Sequence, residues 1–213
     1  MPVEITWWGH ATCTVTDSDV RVLTDPLFAR RLAHLRRRRG AVPPPEARRA
    51  DVVLVSHLHA DHLHVPSLAR LEPGTRLLVP RGAPRQVPGL RRLTDLRVDE
   101  VVPGDERRVG DLLMAKEVGP VDVALLPVGG WGPYLGEGHL DAGRAAEALA
   151  RLEPRSAVPV HYGTYWPIGM DAVRPHEFHA PGAEFVRLAA EFAPGVDVHR
   201  LEHGESVRLE VAR

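Results

Sequence analysis

Cysteine is almost missing from this 213-residue chain. Cys13 stands alone, so no internal disulfide can form, and the pattern fits a reducing, cytoplasmic compartment. The chain also lacks any apolar run long enough to span a bilayer. After Met1-Pro2-Val3-Glu4 no charged leader precedes a long apolar segment, so no signal peptide is expected. Charge of one sign is lacking too: a net charge of −1 gives no global attraction to nucleic acid or anionic membrane. Lysine is rare and arginine takes its place, concentrated at Arg30-Arg31 and Arg36-Arg37-Arg38-Arg39 ahead of Gly40 and Pro43-Pro44-Pro45. No aromatic residues interleave with these arginines as a nucleic-acid groove would require. The run therefore reads as a solvated surface loop in preference to a basic lip for phosphate or carboxylate substrates. The length suits one domain, 1–213, with a core that needs no staples. Nothing in the sequence sets an oligomeric state.

Short strands are expected first, at Val3 to Trp8, Cys13 to Thr16 and Val20 to Thr24, with a turn at Asp17-Ser18-Asp19. Arg30 to Ala50 reads as loop. Val52 to Ser56 reads as a buried strand, Val65 to Leu71 as a short helix and Leu77 to Pro80 as a strand. Val121 to Val128 is another apolar strand. Asp141 caps a helix through Glu153, and Ala157 to Val160 is a strand that delivers His161. Pro181 opens a last helix with Phe185, Leu188, Ala189 and Phe192 at helical spacing. A final pair of strands is expected over Val196 to Leu201 and Ser206 to Val211. Strands first, then strand and helix in alternation, predict an α/β arrangement of sheets flanked by helices.

The chemistry concentrates in Ser56-His57-Leu58-His59-Ala60-Asp61-His62, where an apolar strand ends. Imidazoles and a carboxylate packed this closely are the usual ligands of zinc and similar divalent ions. On an extended or loop backbone His57 and His59 point to the same side and can share one ion, while Asp61 and His62 can reach a second. Two neighbouring ions can activate a bridging water and stabilise a leaving oxygen. Further ligands must come from distant strand ends, and His161, at the close of Val158-Pro159-Val160, is the best remote candidate.

Trp8-Gly9-His10-Ala11-Thr12, Leu23-Thr24-Asp25-Pro26, Ser56 to His62, Leu126-Pro127-Val128-Gly129 and Val158 to Gly163 together resemble the metallo-β-lactamase fold superfamily. The likeness is nearest to its lactonase-like and N-acyl-phosphatidylethanolamine phospholipase D-like branch. The resemblance implies a four-layer αβ/βα sandwich with a metal site at one edge of two facing sheets. It further implies two zinc ions, with manganese or iron as alternatives, and hydrolysis of a small ester, lactone, amide or phosphodiester by a metal-bound hydroxide. By that likeness His57 and His59 hold the first metal, and Asp61, His62 and His161 the second. Asp61 also orients or deprotonates the water, and His139 is a proton donor or substrate contact. The same likeness places His10 and Asp25 beneath the site. His64 is either a pocket-edge residue or an exposed loop histidine, and Trp131, Tyr165 and Trp166 either line the cleft or pack as its wall. His34, His176, His179, His199 and His203 are ordinary surface or packing residues on this reading.

The chain departs from the family between its two halves. Family members carry a further histidine and a bridging aspartate there, yet no histidine lies between Ala69 and Pro120. Gly104-Asp105 and Gly110-Asp111 lack the threonine of the family turn. The domain therefore reads as shortened there, and the abrupt joint from Val109 to Leu113 favours an internally shortened form of a longer enzyme. The other readings are a reduced metal site with Asp111 as stand-in bridging ligand, and a catalytically inert metal-binding or ligand-sensing domain.

Overall fold

Alternating residues of β1 (Pro2–Gly9) place Val3, Ile5 and Trp7 on one face, and all three are buried. β1, β2 (Thr12–Asp17) and β3 (Val20–Thr24) form an antiparallel meander. A small hairpin of β4 (Arg31–Leu32) and β5 (Leu35–Arg37) comes next. β6 (Val52–Leu54), β7 (Arg76–Pro80) and β8 (Arg97–Val101) then extend the meander in parallel, through one-turn helices α1 (Val65–Leu68) and α2 (Ala83–Gln86). β9 (Arg107–Val109) and β10 (Leu112–Met114) form a separate two-stranded antiparallel sheet among the described residues. The second half runs β11 (Val123–Pro127), α3 (Ala142–Leu152), β12 (Ser156–Val160), β13 (Tyr165–Pro167), α4 (Pro175–His179), α5 (Pro181–Phe192), β14 (Asp197–Val198) and β15 (Ser206–Glu210). This computed structural model describes residues 2–102, 107–109, 112–114, 121–132, 135–136, 139–170, 172–173 and 175–211.

The main sheet has the order β15-β1-β2-β3-β6-β7-β8, and a second sheet the order β11-β12-β14. One core joins β1 and β2 to β11, β12, α3 and α5, with Trp7, Leu149, Val158 and Phe185 at most 1% exposed. A second core sits where Leu23, Val53 and Leu77 meet Leu68 and Ala83 of the short helices. Helices thus lie outside the facing sheets, the αβ/βα layering that the sequence predicts. Helix α3 begins at Asp141, whose carboxylate accepts the Arg144 N–H at 2.8 Å. It buries Ala142, Ala145, Ala146 and Leu149. These small residues let α5 approach closely, and α5 presents Gly182, Phe185 and Ala189 in return.

Three local expectations need correction. The 30–50 segment is not all loop, because Arg31 pairs with Arg36 and Leu32 with Leu35, and β5 continues onto β13. Two-residue strands leave too little periodicity for sequence patterns to register. The helix from Val65 stops at Leu68, after a single turn. The strand expected over Val196 to Leu201 is short, Asp197–Val198, and joins β12, whereas β15 crosses to β1.

Candidate metal centre

Four chain segments converge at the carboxyl ends of β3, β6 and β12 and at the β1–β2 turn. Val55 N–H still bonds Leu78 in β7 at 2.9 Å, and beyond it the chain leaves the sheet. The amides of His62 and Leu63 both bond the His59 carbonyl, at 3.0 and 2.8 Å, which coils the 59–63 stretch back on itself. His10, Asp25 and His161 all adopt left-handed backbone conformations, with φ of 54°, 36° and 65°. Such geometry is uncommon outside glycine and clusters at functional sites. The His161 N–H bonds the His10 carbonyl at 2.8 Å and ties two of these strained residues together.

His10, Asp61, His62 and His161 form one buried group whose ligand atoms lie within 4.8 Å of one another. The Nε2 atoms of His62 and His161 are 2.9 Å apart, and Asp61 Oδ2 is 3.5 and 3.6 Å from them. The partners on the far side of each ring fix what these nitrogens are. His161 Nδ1 faces the Gly129 carbonyl at 3.0 Å, and a carbonyl only accepts, so Nδ1 carries the proton. His62 Nδ1 lies 2.8 Å from Asp25 Oδ2 and donates to it. Both Nε2 lone pairs therefore point at each other, an arrangement that repels unless a cation or a proton lies between them. With Asp61 beside them, this donor set fits a divalent metal ion.

Asp25 organises more than one ligand. Its Oδ1 accepts the Ser56 N–H and its Oδ2 the Ser56 hydroxyl, both at 2.7 Å. The Ser56 oxygen, with its proton committed to Asp25, accepts from His57 Nδ1 at 3.0 Å. His57 Nε2 is thereby left as a lone pair, 3.1 Å from His59 Nδ1. Burial, with His62 and His59 nearby, pushes the His57 imidazole down to about 4, so it is neutral near pH 7.

His10 supports the carboxylate. Burial and the neighbouring His161 lower its imidazole to about 3, so its neutral ring donates from Nε2 to Asp61 Oδ2 at 2.9 Å. The Trp131 indole N–H donates to the same oxygen at 3.2 Å. Burial alone would raise the Asp61 carboxyl, but His10, His161 and His62 hold it well below the usual carboxylate range.

A cavity of about 700 Å³ opens beside the cluster. His57, His59, His62, His139 and His161 contribute to one part of its wall, and apolar side chains such as Leu78, Val101 and Leu125 to another. His139 Nδ1 is buried without a hydrogen-bond partner among the described residues, and its ring centroid lies 5.8 Å from that of His161 and 6.3 Å from that of His59.

The structure thus brings together His57, His59, Asp61, His62, His139 and His161, with His10 and Asp25 beneath them. Asp111 lies outside the described residues. His64 is not a cavity residue: its Nδ1 bonds the Ser67 hydroxyl at 2.7 Å at the start of α1. Tyr165 and Trp166 are buried packing residues, 1% and 3% exposed, bonded to the carbonyls of Ala29 and Met170. Trp131, expected only along the cleft or in its wall, reaches Asp61, a contact that no local sequence signal encodes. Among the described residues, no helix is long and apolar enough to cross a membrane.

Comparison with known proteins agrees with this geometry. A family model described as a beta-lactamase superfamily domain matches residues 4–114, and a second model with the same description matches residues 104–162. A metal-dependent hydrolase of the UPF0173 group from Thermococcus kodakarensis is 28% identical over 252 residues, covering 97% of this chain and 100% of that protein. That alignment is longer than the chain itself, so the relative carries segments with no counterpart here. An N-acyl-phosphatidylethanolamine-hydrolyzing phospholipase D from Caenorhabditis elegans is 27% identical, covering 77% of this chain and 64% of that protein. The solved structure of Igni18, a metallo hydrolase from Ignicoccus hospitalis, has the same fold, with a TM-score of 0.69, 19% identity and full coverage of both chains.

Proposed function

From the chain's membership of the beta-lactamase superfamily, we propose that it is a metal-dependent hydrolase of a small ester, lactone or phosphodiester, acting as one domain over residues 1–213. One observation carries the reading: two imidazoles whose outward partners force their Nε2 lone pairs into the same buried space beside a carboxylate. Asp61, His62 and His161 would hold one ion, and His57 and His59 would hold a second. Zinc is the first expectation for such donors, with manganese or iron as alternatives. A bound ion supplies Lewis acidity, which polarises the scissile group and acidifies water.

The chain's own residues supply the rest. Asp61 is held ionised by His10, His161 and His62, so it accepts hydrogen bonds and orients a water at the site. His139, whose Nδ1 has no other partner among the described residues, donates a proton to the leaving oxygen. The apolar part of the cavity wall excludes water and favours a substrate with an apolar group next to the scissile bond. A small-molecule substrate fits the cavity's size.

Elemental analysis of protein purified without chelator, paired with a panel of ester, lactone and phosphodiester substrates, tests the proposal. Bound metal and turnover are expected, and both fall in the His57→Ala, His59→Ala double variant. Full metal content and activity in that variant would overturn it. The second reading, an inert metal-binding or ligand-sensing domain, draws on the first pair: among the described residues only His57 and His59 make it up. Metal binding with no turnover on any class of the panel would favour that reading.

A further inference from the structure

The arginine run forms a second cavity, of about 380 Å³, lined by Arg30, Arg31, Arg36 and Arg37 together with the 40–42 turn. No carboxylate contributes to its wall, and it shares no lining residue with the cavity at the metal centre. Arg37 is only 9% exposed, so it is not the solvated side chain that the sequence suggests. Its Nε donates to the Gly40 carbonyl at 3.2 Å and its Nη2 to the Trp8 carbonyl. Its Nη1 is buried and, among the described residues, has no hydrogen-bond acceptor. A buried guanidinium with an unused donor is costly unless an anion completes it.

The hairpin register adds a second, independent observation. Arg31 lies directly opposite Arg36 across β4 and β5, and like charges in that position destabilise a strand pair. Five other arginines, Arg39, Arg49, Arg76, Arg187 and Arg208, each contact a carboxylate. Among the described residues, Arg30, Arg31, Arg36 and Arg37 form no such pair. Four guanidinium groups with no carboxylate partner among the described residues thus line one small cavity, a setting that suits a multivalent anion.

We propose that this pocket binds the phosphate group of a small molecule, at a site separate from the metal centre. Guanidinium forks match phosphate oxygens in pairs, and several such forks suit a dianion better than a single carboxylate. The cavity's size and the absence of aromatic residues from its wall favour a small phosphate compound over a nucleic-acid strand.

Equilibrium dialysis of the full chain at fixed ionic strength tests this, using inorganic phosphate, pyrophosphate and phenyl phosphate as probes. Saturable binding of one anion is expected, weakened about ten-fold or more in an Arg31→Gln, Arg36→Gln double variant and unchanged in the His57→Ala, His59→Ala variant. Both arginines are exposed, so the first variant should fold, and unchanged circular dichroism checks that it does. Tighter binding of phenyl phosphate than of phosphate would identify an organic monoester as the ligand, and the reverse order would identify free phosphate or pyrophosphate. Binding lost in the histidine variant but kept in the arginine variant would assign the anion to the metal centre and overturn the proposal. No saturable binding of any probe would also overturn it, as would binding only of single-stranded DNA that moderate salt abolishes.

Discussion

Replacing Asp25 by asparagine alters a single atom of the buried network, and its effect can be worked out bond by bond. Both carboxylate oxygens face donors: Ser56 N–H on Oδ1, and the Ser56 hydroxyl with His62 Nδ1–H on Oδ2. Asparagine offers one oxygen, so its amide group must face a donor whichever way it turns. His62 can relieve the clash by moving its proton from Nδ1 to Nε2. That tautomer suits the metal-free protein, because Nε2–H then donates to His161 Nε2 across the existing 2.9 Å. It is wrong for binding metal, since the coordinating lone pair is gone. The expected result is a loss of about 10- to 100-fold in metal affinity, or roughly 1.4–2.7 kcal/mol. The thermal midpoint of the metal-free protein should change little. Competition against a chromophoric chelator measures the first quantity, and a melt in excess chelator the second. Affinity within about two-fold of the parent would refute the tautomer argument. A collapse of the metal-free melt would show that Asp25 holds the fold and not the ligand.

Other consequences can be checked as directly. His139→Ala should leave metal content unchanged while lowering kcat by about 10²- to 10⁴-fold, and undiminished turnover of an ester substrate would remove His139 from the reaction. Metal-free protein should lose stability in acid through His203, which burial and the nearby Arg37 and Arg39 lower from 6.5 to about 4. The unfolded chain takes up that proton below pH 6.5 and the folded chain does not, so this contribution is complete above 6.5 and shrinks towards pH 4. Discounted for partial exposure, it amounts to about 1–2 kcal/mol in urea unfolding at pH 7.5 against pH 4.5, and His203→Gln should flatten the difference. Gly182→Ala would set a methyl group 2.4 Å from the Tyr162 ring, itself stacked on Trp7 in the main core. A loss of about 1–3 kcal/mol is expected by denaturant titration, and a neutral result would mean that α5 can slide on that ring.

The ligand cluster is legible in the sequence because His57, His59, Asp61 and His62 are local and come directly after an apolar strand, and because His161 closes another. What supports them is not local. Asp25 reaches His62 across 37 positions, His10 reaches Asp61 across 51 and Trp131 reaches it across 70. Motif position can place His10 and Asp25 beneath the site, but only the packed sheets reveal which atom each of them holds. The arginine run is legible in part: Arg30, Arg31 and Arg36 are exposed as expected, but Arg37 is buried. Composition made it solvent-facing, yet β5 pairs with β13 and draws Arg37 under Trp8 and over the Tyr165 ring, 5.7 Å from its centroid. Hairpins with two-residue strands are decided by such tertiary pairing and leave no periodic trace.

The two halves of the candidate metal centre are unequal. Asp61, His62 and His161 are at most 6% exposed, and each is oriented by a hydrogen bond from behind. Little conformational freedom remains to be lost when an ion enters there. His57 and His59 are less deeply placed, and the hydrogen bond that fixes a tautomer reaches only His57. Structural and catalytic zinc sites ordinarily draw on three or more protein ligands, so a pair of imidazoles alone binds weakly. The relative from Thermococcus kodakarensis has segments that this chain lacks. The buried trio is therefore expected to fill first, with Asp61 and its hydrogen-bond donors in place, and the outer pair only at higher metal concentration; stepwise metal titration followed by elemental analysis checks the order.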